Sequence, residues 1–357
     1  MHFSVDRNQL LPKIQMVANV VERRQTLPIL GNIKLAWDTE KLLLTGTDLD
    51  LEINTSLPVE TSEAGSVTVP ARKFLDLCKA APDNATIKFE SKGSTFIIRY
   101  GKSRFLLGTL PVDEFPIIEM TGDFNEFQLP QKELKRIFEK TLFAMAQQDV
   151  RYYLNGLLLE LSDAGVRAVA TDGHRMAISE KINGSTVPET RDAILARKSV
   201  LELVKQLTDP NGVVNLRLYN NHLVAEGADS KIITRLVDGN FPDYERVIPT
   251  NSDRLAKIDR AVFRAALQRV AILSSEKYRA VRLEFAGSEL KLSTRNPDQE
   301  EAEELLEIGY EGGSLEIGFN VNYLLDVLGA IESDSVEIEL GDSSSSCLVQ
   351  QSGETTE

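Results

Sequence analysis

The chain has 357 residues, an apolar share of 42% and a formal charge of −14. It is too long for one ordinary core, so two or three domains are expected. No stretch approaches the roughly 18 consecutive apolar residues of a membrane-spanning helix. The start, MHFSVDRNQLL, has neither the basic segment nor the apolar run of a signal peptide. Acidity of this size argues by itself against nucleic-acid binding.

The chain contains two cysteines, Cys78 and Cys347, and neither belongs to a CxxC motif. Two isolated cysteines cannot build a disulfide framework. This usage is typical of a reduced compartment, so a cytoplasmic location is expected.

One spacing of apolar residues, +5, +4 and +3, occurs three times along the chain. The last three positions of each set fall on one helical face, so each set predicts a short strand followed by a helix. Thr141 is the imperfect match. The sets are Val5, Leu10, Ile14 and Val17; Leu129, Leu134, Phe138 and Thr141; and Ile258, Phe263, Leu267 and Val270.

Further landmarks recur in the same order, which indicates a repeat. The pair T-D occurs at 47–48 and 171–172, A-R-K at 71–73 and 196–198, and F-P at 115–116 and 241–242. We therefore expect three domains, at 1–122, 123–250 and 251–357. Each combines two helices with several strands of alternating hydrophobicity, an α+β design with the helices on one side of the sheets.

The third repeat is shorter than the other two. A helix is expected near 320–330, followed by VEIEL, a serine run and CLVQQSGETTE. Nothing there corresponds to KIITRLVDGNFPDYERV of the second repeat. We therefore expect the third domain to lack its C-terminal strand.

The formal charge divides into +8 on the six predicted helices and −22 on the rest of the chain. Basic side chains simply favour exposed helical positions in many proteins. Combined with the repeat, however, the division favours one surface suited to phosphate groups and another that repels them.

Candidate catalytic motifs are weak. The GKS at 101–103 has Phe96 where a P-loop requires glycine, so a hairpin turn is expected. Asp172, His174 and Arg175 lack the further histidines of a metal or acid–base site. The acidic run at 298–304 suits a solvated strand edge. We expect no catalytic residue, no metal and no cofactor.

A long, ordered set of motifs resembles the beta subunit of bacterial DNA polymerase III, the sliding clamp family. The set comprises LPILGN, LTGTDL, VPARKF, QDVRYYLNG, ATDGHR, LVDGNFPDY, AILSSEK, NPDQEEAEE and EIGFNVNYLLDVL. The resemblance implies the DNA clamp fold: three repeated domains with helices on the inner side of antiparallel sheets, forming half of a closed ring. It also implies a head-to-tail homodimer around duplex DNA, bound without sequence preference, and no chemistry of its own.

The resemblance further implies the binding residues. Those expected to contact DNA are Arg24, Arg72, Gln148, Tyr152 and Tyr153. A pocket for peptides of the replicative polymerase, the clamp loader and repair polymerases is implied at Arg151, Leu154, Thr171, Gly173, His174, Arg175, Met176, Pro242, Arg246, Val247, Asn320 and Tyr323. Met176 replaces the usual leucine and keeps the pocket apolar. The family's Met-Pro-Met-Arg-Leu-like tail, part of that pocket, has no match here.

The ring is expected to close through sheet edges, because unpaired edges seek partners. Basic and apolar residues of the first repeat would meet acidic and apolar residues of the third. The first set is Lys73, Lys102, Arg104, Phe105 and Leu107, and the second is Ile272, Leu273, Glu300, Glu301, Glu303 and Glu304.

Two other functions remain open at this point. A repeat-built interaction adaptor without DNA encirclement would show no clustering of positive charge on helices. A P-loop or metal-dependent enzyme would bind nucleotide or metal.

Overall fold

The structure is a computed structural model that describes residues 2–22, 27–59, 61, 63–163, 165–182, 191–250 and 252–353. Six α-helices are found among these residues, two in each repeat. They are α1 (Arg7–Ala18), α2 (Ala71–Ala80), α3 (Gln131–Thr141), α4 (Arg197–Gln206), α5 (Arg260–Ala271) and α6 (Val321–Ala330).

Twenty-four strands accompany the helices over the described ranges. The first repeat holds β1 (His2–Asp6), β2 (Asn32–Trp37), β3 (Lys41–Thr47), β4 (Leu51–Pro58), β5 (Gly65–Pro70), β6 (Thr86–Lys92), β7 (Thr95–Tyr100) and β8 (Ser103–Gly108). The second holds β9 (Asn125–Pro130), β10 (Gly156–Ser162), β11 (Gly165–Thr171), β12 (Met176–Ile182), β13 (Arg191–Ala196), β14 (Val213–Leu218), β15 (His222–Glu226) and β16 (Ser230–Arg235). The third holds β17 (Arg254–Asp259), β18 (Ala280–Ala286), β19 (Glu289–Arg295), β20 (Glu301–Glu307), β21 (Gly309–Glu311), β22 (Leu315–Asn320), β23 (Ser335–Leu340) and β24 (Leu348–Gln351).

In the first and third repeats, an aspartate side chain caps the start of the first helix. Asp6 accepts hydrogen bonds from the N–H groups of Asn8 and Gln9, and Asp259 accepts one from Val262. An aspartate at this position satisfies N–H groups that have no partner within the helix. The apolar residues of the threefold spacing then lie in the core, except Leu129, which is half-buried, and Thr141 is buried with them.

The sheets repeat the same plan with one difference. Four-stranded sheets run in the orders β1-β6-β7-β8, β12-β11-β10-β13, β21-β17-β23-β24 and β20-β19-β18-β22. The remaining sheet has eight strands, in the order β5-β2-β3-β4-β16-β15-β14-β9. It forms because β4 of the first repeat pairs antiparallel with β16 of the second, with Ile53 opposite Ile232. Backbone hydrogen bonds therefore join these two repeats.

The described residues divide into two compact units, which we call the larger and the smaller unit. The larger comprises those within 1–138, 145–172 and 178–239, and the smaller those within 139–144, 173–177 and 240–357. The predicted domain boundaries at 122 and 250 remain predictions. In the smaller unit β24 is an edge strand, and no further strand follows it up to Gly353.

Each unit has a packed apolar core. In the larger unit Phe74, Phe89 and Phe96 are fully buried, and the rings of Phe89 and Phe96 stack with centroids 5.4 Å apart. In the smaller unit Phe263, Leu267 and Val270 of α5 pack with Phe285 of β18 and the neighbouring strands. These cores hold the strand edges and helix ends that carry the candidate site.

Candidate functional site

The residues expected to contact DNA include one well-placed cation on α2. Arg72 is the second residue of this helix and its side chain is exposed. Within the described part of the chain, its guanidinium has no hydrogen-bond or ion-pair partner. Arg24, the other arginine of this set, lies outside the described residues.

The turn before β10 positions three more of these residues. Asn155 braces the turn: its Oδ1 accepts from the Asp149 N–H at 2.8 Å, and its Nδ2 donates to the Asp149 carbonyl at 2.9 Å. Gln148 has φ 58° and is exposed. Tyr152 is 56% exposed and Tyr153 half-buried, with ring centroids 5.8 Å apart in an edge-to-face arrangement. Tyr152 is thus presented to solvent, while Tyr153 packs partly against the protein.

Three residues of the expected peptide pocket lie in the larger unit. Leu154 is buried and Thr171 half-buried. The exposed guanidinium of Arg151 donates to both carboxylate oxygens of Asp149, at 3.0 and 2.8 Å. The hydrogen bond to Asp149 raises the pKa of Arg151. This fork fixes the direction of the Arg151 side chain.

The smaller unit brings three other pocket residues together. The ring of Tyr323 on α6 stacks against His174, with centroids 6.5 Å apart, and the Arg175 guanidinium lies 4.4 Å from its centre. Arg175 also pairs with Asp326 at 2.6 Å and donates to the Phe143 carbonyl at 2.8 Å. The result is an aromatic and cationic surface with a fixed arginine at its centre.

Asp326 and Phe143 were not among the predicted residues. Asp326 follows Tyr323 by three residues on α6, so both lie on one helical face. This spacing could have indicated Asp326 as a neighbour of Tyr323 in the site. Phe143 follows α3 in a short 3-10 turn and gives no comparable pattern.

The remaining pocket residues also lie in the smaller unit. Pro242, Arg246 and Val247 are exposed, and Arg246 pairs with Asp243 at 2.6 Å. Met176 is half-buried at the start of β12, and Gly173 has φ 85°. The side chain of Asn320 caps α6 by accepting from the Asn322 N–H at 3.0 Å.

The expected ring-closing residues of the first repeat surround β8, which is an edge strand. Lys73, Lys102 and Arg104 are exposed, and Phe105 is half-buried with its ring centroid 5.3 Å from that of Tyr100. The two leucines of β8 differ from the expectation. Leu107 is only 7% exposed, whereas Leu106, which was not predicted, is 52% exposed.

The expected residues of the third repeat surround a second edge strand, β20. Ile272, just after α5, is 76% exposed, and Leu273 is half-buried. The glutamates already have partners within the chain: Glu301 pairs with Arg295 at 3.2 Å, Glu303 with Lys291 at 2.7 Å, Glu304 with Arg269 at 2.6 Å, and Glu300 with Asn296 at 2.6 Å. The Arg269 hydrogen bond lowers the pKa of Glu304.

The part of the chain that the structure describes has neither a metal-binding cluster nor a membrane-spanning helix. No group of three or more histidine, cysteine, aspartate or glutamate side chains is placed to hold a metal ion. None of the helices is long and apolar enough to span a membrane.

Family models for DNA polymerase III beta subunit domains match most of the chain. The N-terminal domain matches residues 1–119, the central domain residues 128–243 and the C-terminal domain residues 245–356.

Curated relatives match over nearly the whole length. The beta sliding clamp of Pseudomonas putida is 48% identical over 354 residues, covering 99% of this chain and 96% of the relative. The beta sliding clamp of Escherichia coli K12 is 43% identical over 351 residues, covering 98% and 96%.

Solved structures agree with the sequence matches. The sliding clamp of Pseudomonas aeruginosa bound to griselimycin has a TM-score of 0.95 at 46% identity, covering 99% of this chain and 96% of that one. The clamp of Bartonella birtlesii bound to griselimycin has a TM-score of 0.94 at 37% identity, with the same coverage. The chain therefore belongs to the family of DNA polymerase III beta subunits, the beta sliding clamps, and has their fold.

Proposed function

We propose that two copies of this chain close head to tail into a ring around duplex DNA, and that the ring itself performs no chemistry. Its family role is that of a DNA polymerase processivity factor, an accessory subunit in DNA replication. Enclosure explains how such a factor can stay on DNA and still move along it. Phosphate contacts alone give weak, salt-sensitive binding, with Kd on the order of 10⁻⁴–10⁻⁶ M, and weak contacts permit sliding.

The observation that carries this proposal is the junction between β4 and β16. By its place in the repeat, β20 of the third repeat corresponds to β4, and β8 of the first repeat corresponds to β16. β4 and β16 pair within the chain, but β20 and β8 are both edges. A second copy can supply the missing partner to each edge, and an interface of this kind closes a ring when its rotation brings the ends together.

The same correspondence gives a register for the joint. β20 pairs with β19 as β4 pairs with β3. In each hairpin the residues can be counted from the first pair after the turn, and Glu303 in β20 then occupies the same place as Asn54 in β4. The first two residues of β8 are Ser103 and Arg104, and those of β16 are Ser230 and Lys231, so Arg104 corresponds to Lys231. Lys231 lies opposite Asn54. Arg104 of one copy would therefore lie opposite Glu303 of the other. Leu106, Phe105 and Ile272 add apolar surface, which supplies most of the adhesion in such interfaces.

The charge distribution supports DNA in the ring. Five of the six helices in the described part of the chain carry net positive charge, although the whole chain carries −14. Arg72 on α2 is exposed and has no partner among the described residues. Arg24, Gln148, Tyr152 and Tyr153 complete the proposed contact set. Such side chains bind phosphate oxygens without sequence information, as sliding requires.

The surface around His174, Arg175 and Tyr323 is the proposed site for partner peptides. It combines a stacked aromatic pair and a fixed arginine, and the same unit exposes Pro242 and Val247. Aromatic and arginine side chains dominate the energy of most binding surfaces. Two relatives have been solved with griselimycin bound, so clamps of this family present a ligand-binding surface. Peptides of the replicative polymerase, the clamp loader and repair polymerases would all bind this surface. The proposed location of the protein is the cytoplasm.

The ring is tested by comparing lifetimes on two DNA topologies. Protein loaded onto nicked circular DNA should remain bound far longer than on linear DNA of equal length, because a ring can slide off a free end. Arg72→Ala should shorten retention at each salt concentration while leaving the dimer mass unchanged. Equal lifetimes on the two templates would instead favour an interaction adaptor that does not encircle DNA.

A further inference from the structure

Each repeat contains a segment that joins its first helix to the following strand, which we call its helix-to-strand connection. These segments are residues 19–31, 142–155 and 272–279. The first contains Arg24 and the second contains Tyr152 and Tyr153, all proposed DNA contacts. The third contains Lys277, Tyr278 and Arg279, to which no role has been assigned.

The backbone of the third connection is held in place at its end. The Arg279 N–H donates to the Ser275 carbonyl at 2.8 Å, and the Arg279 carbonyl accepts from the Val321 N–H at 2.7 Å. Arg279 has φ 49°, in the left-handed region that bulky side chains rarely adopt. These hydrogen bonds hold the backbone of the turn in this conformation, so its side chains extend from a fixed backbone.

Lys277 and Tyr278 lie at the exposed surface of the third connection. Tyr278 is 65% exposed, and the Lys277 ammonium lies 5.0 Å from the centre of its ring. Over the described ranges, neither Lys277 nor Arg279 makes a side-chain hydrogen bond or ion pair. The second connection differs here, because Arg151 is neutralised by Asp149 at 2.8 Å.

We infer that Lys277, Tyr278 and Arg279 form an additional contact for the phosphate backbone of duplex DNA. This inference rests on the proposed ring, because it assigns to the third connection the role proposed for the other two. Two unpaired cations suit adjacent phosphates, and a tyrosine hydroxyl can donate to phosphate oxygen. Lys277 is exposed and Arg279 is half-buried, and neither has a carboxylate partner in the described part of the chain, although the chain as a whole is acidic.

The experiment measures the affinity of the dimer for nicked circular duplex DNA over a range of salt concentrations. Each phosphate contact contributes about 0.9 to the slope of log affinity against log salt. Lys277→Ala with Arg279→Ala should therefore make the slope shallower by about 1 or more. The matched control is Lys88→Ala with Lys92→Ala, which removes the same charge from exposed positions on β6. In the control variant, the slope of log affinity against log salt should stay closer to the wild-type slope than it does in the Lys277 and Arg279 variant.

The outcomes separate this inference from the function on which it rests. If the Lys277 and Arg279 variant matches the Lys88 and Lys92 variant while Arg72→Ala weakens binding, the inference is wrong and the ring stands. If the variant becomes monomeric by light scattering, the connection belongs to the joint between copies, which also overturns the inference. If wild-type protein leaves circular and linear DNA equally fast, the proposed function itself fails.

Discussion

Lys198, at the start of α4, holds the second repeat to the first. Its ammonium donates to the Val20 carbonyl and Glu22, each at 3.0 Å, and to Asp48. Burial lowers the pKa of Lys198, but the hydrogen bonds and charges of Asp48 and Glu22 outweigh it, so the pKa is raised. A raised folded pKa contributes stability below the ordinary value of about 10.4 and loses it as pH rises further, so the contribution is constant near neutrality.

We therefore expect Lys198→Ala to lower the free energy of unfolding. Hydrogen bonds to charged groups contribute about 1.5–3 kcal/mol, and the side chain's partial exposure reduces this to about 1 kcal/mol. Urea denaturation at neutral pH measures the loss. Arg99→Ala is the control, because Arg99 and Glu90 form a surface ion pair at 3.2 Å that should contribute about 0.5 kcal/mol or less. Equal losses in both variants would contradict this role for Lys198.

Residues of the site that belong to short sequence motifs could be predicted, whereas contacts between distant parts of the chain could not. The motifs identified His174, Arg175 and Tyr323, which the structure brings into contact. They could not show that Arg175 is fixed by Asp326, because that contact joins residues 151 positions apart. Leu107 is the leucine expected at the joint from the sequence, whereas Leu106 is the exposed leucine of β8. Neighbouring residues of a strand point to opposite faces of the sheet, and the sequence alone does not show which face the core covers.

At the scale of elements, α1 can lie close to β3 because residue 46 is glycine. A Cβ added at Gly46 would lie 2.3 Å from the Val17 carbonyl oxygen, closer than any real contact. Gly46→Ala must therefore push the helix from the sheet, and overpacking of this kind costs about 1–3 kcal/mol. Thermal or urea unfolding should show this loss.

The control for Gly46 lies in β22. A Cβ added at Gly318 would meet nothing within 4 Å, and this glycine has no positive φ. Gly318→Ala should be neutral or slightly stabilising, because alanine restricts the unfolded chain. An unchanged free energy of unfolding for Gly46→Ala would show that α1 shifts without cost.

The elements themselves were largely predictable from hydrophobic spacing. The helix expected near 320–330 is observed at Val321–Ala330, because Asn320 is a cap just outside the helix. The eight-stranded sheet was not predicted. Pairing between β4 and β16 joins distant segments, and neither strand carries a local signal of its partner.

At the scale of the whole molecule, the acidic edge of β20 is less charged than its sequence indicates. Lys291, Arg295 and Arg269 each pair with a glutamate of this strand. Exposed ion pairs of this kind contribute little to stability, so they can exchange partners at small cost. The charges at the proposed joint would therefore set its register and partner choice more than its strength.

The joint itself can be tested by charge reversal. Arg104→Glu would place like charges opposite Glu303 at both joints of the ring, and like-charge juxtaposition costs several kcal/mol in interfaces. We expect the dissociation constant of the dimer to rise at least about tenfold, which corresponds to about 1.4 kcal/mol. Light scattering at low micromolar concentration measures the mass. Lys92→Glu, a reversal at an exposed position on β6, two strands away from β8, should leave the mass unchanged.

Rescue distinguishes a specific pair from a general charge effect. Glu303→Arg alone should also weaken the dimer, because it places a second guanidinium opposite Arg104 and leaves Lys291 without its carboxylate. Combining Arg104→Glu with Glu303→Arg restores opposite charges across the joint, if the joint has the same strand register as the β4–β16 pair. Dimer mass should then return toward wild type, since the two changes act on one contact and their effects are not additive. If the double variant is as weak as the sum of the two single variants, Arg104 and Glu303 are not partners, and the register taken from the internal junction is wrong.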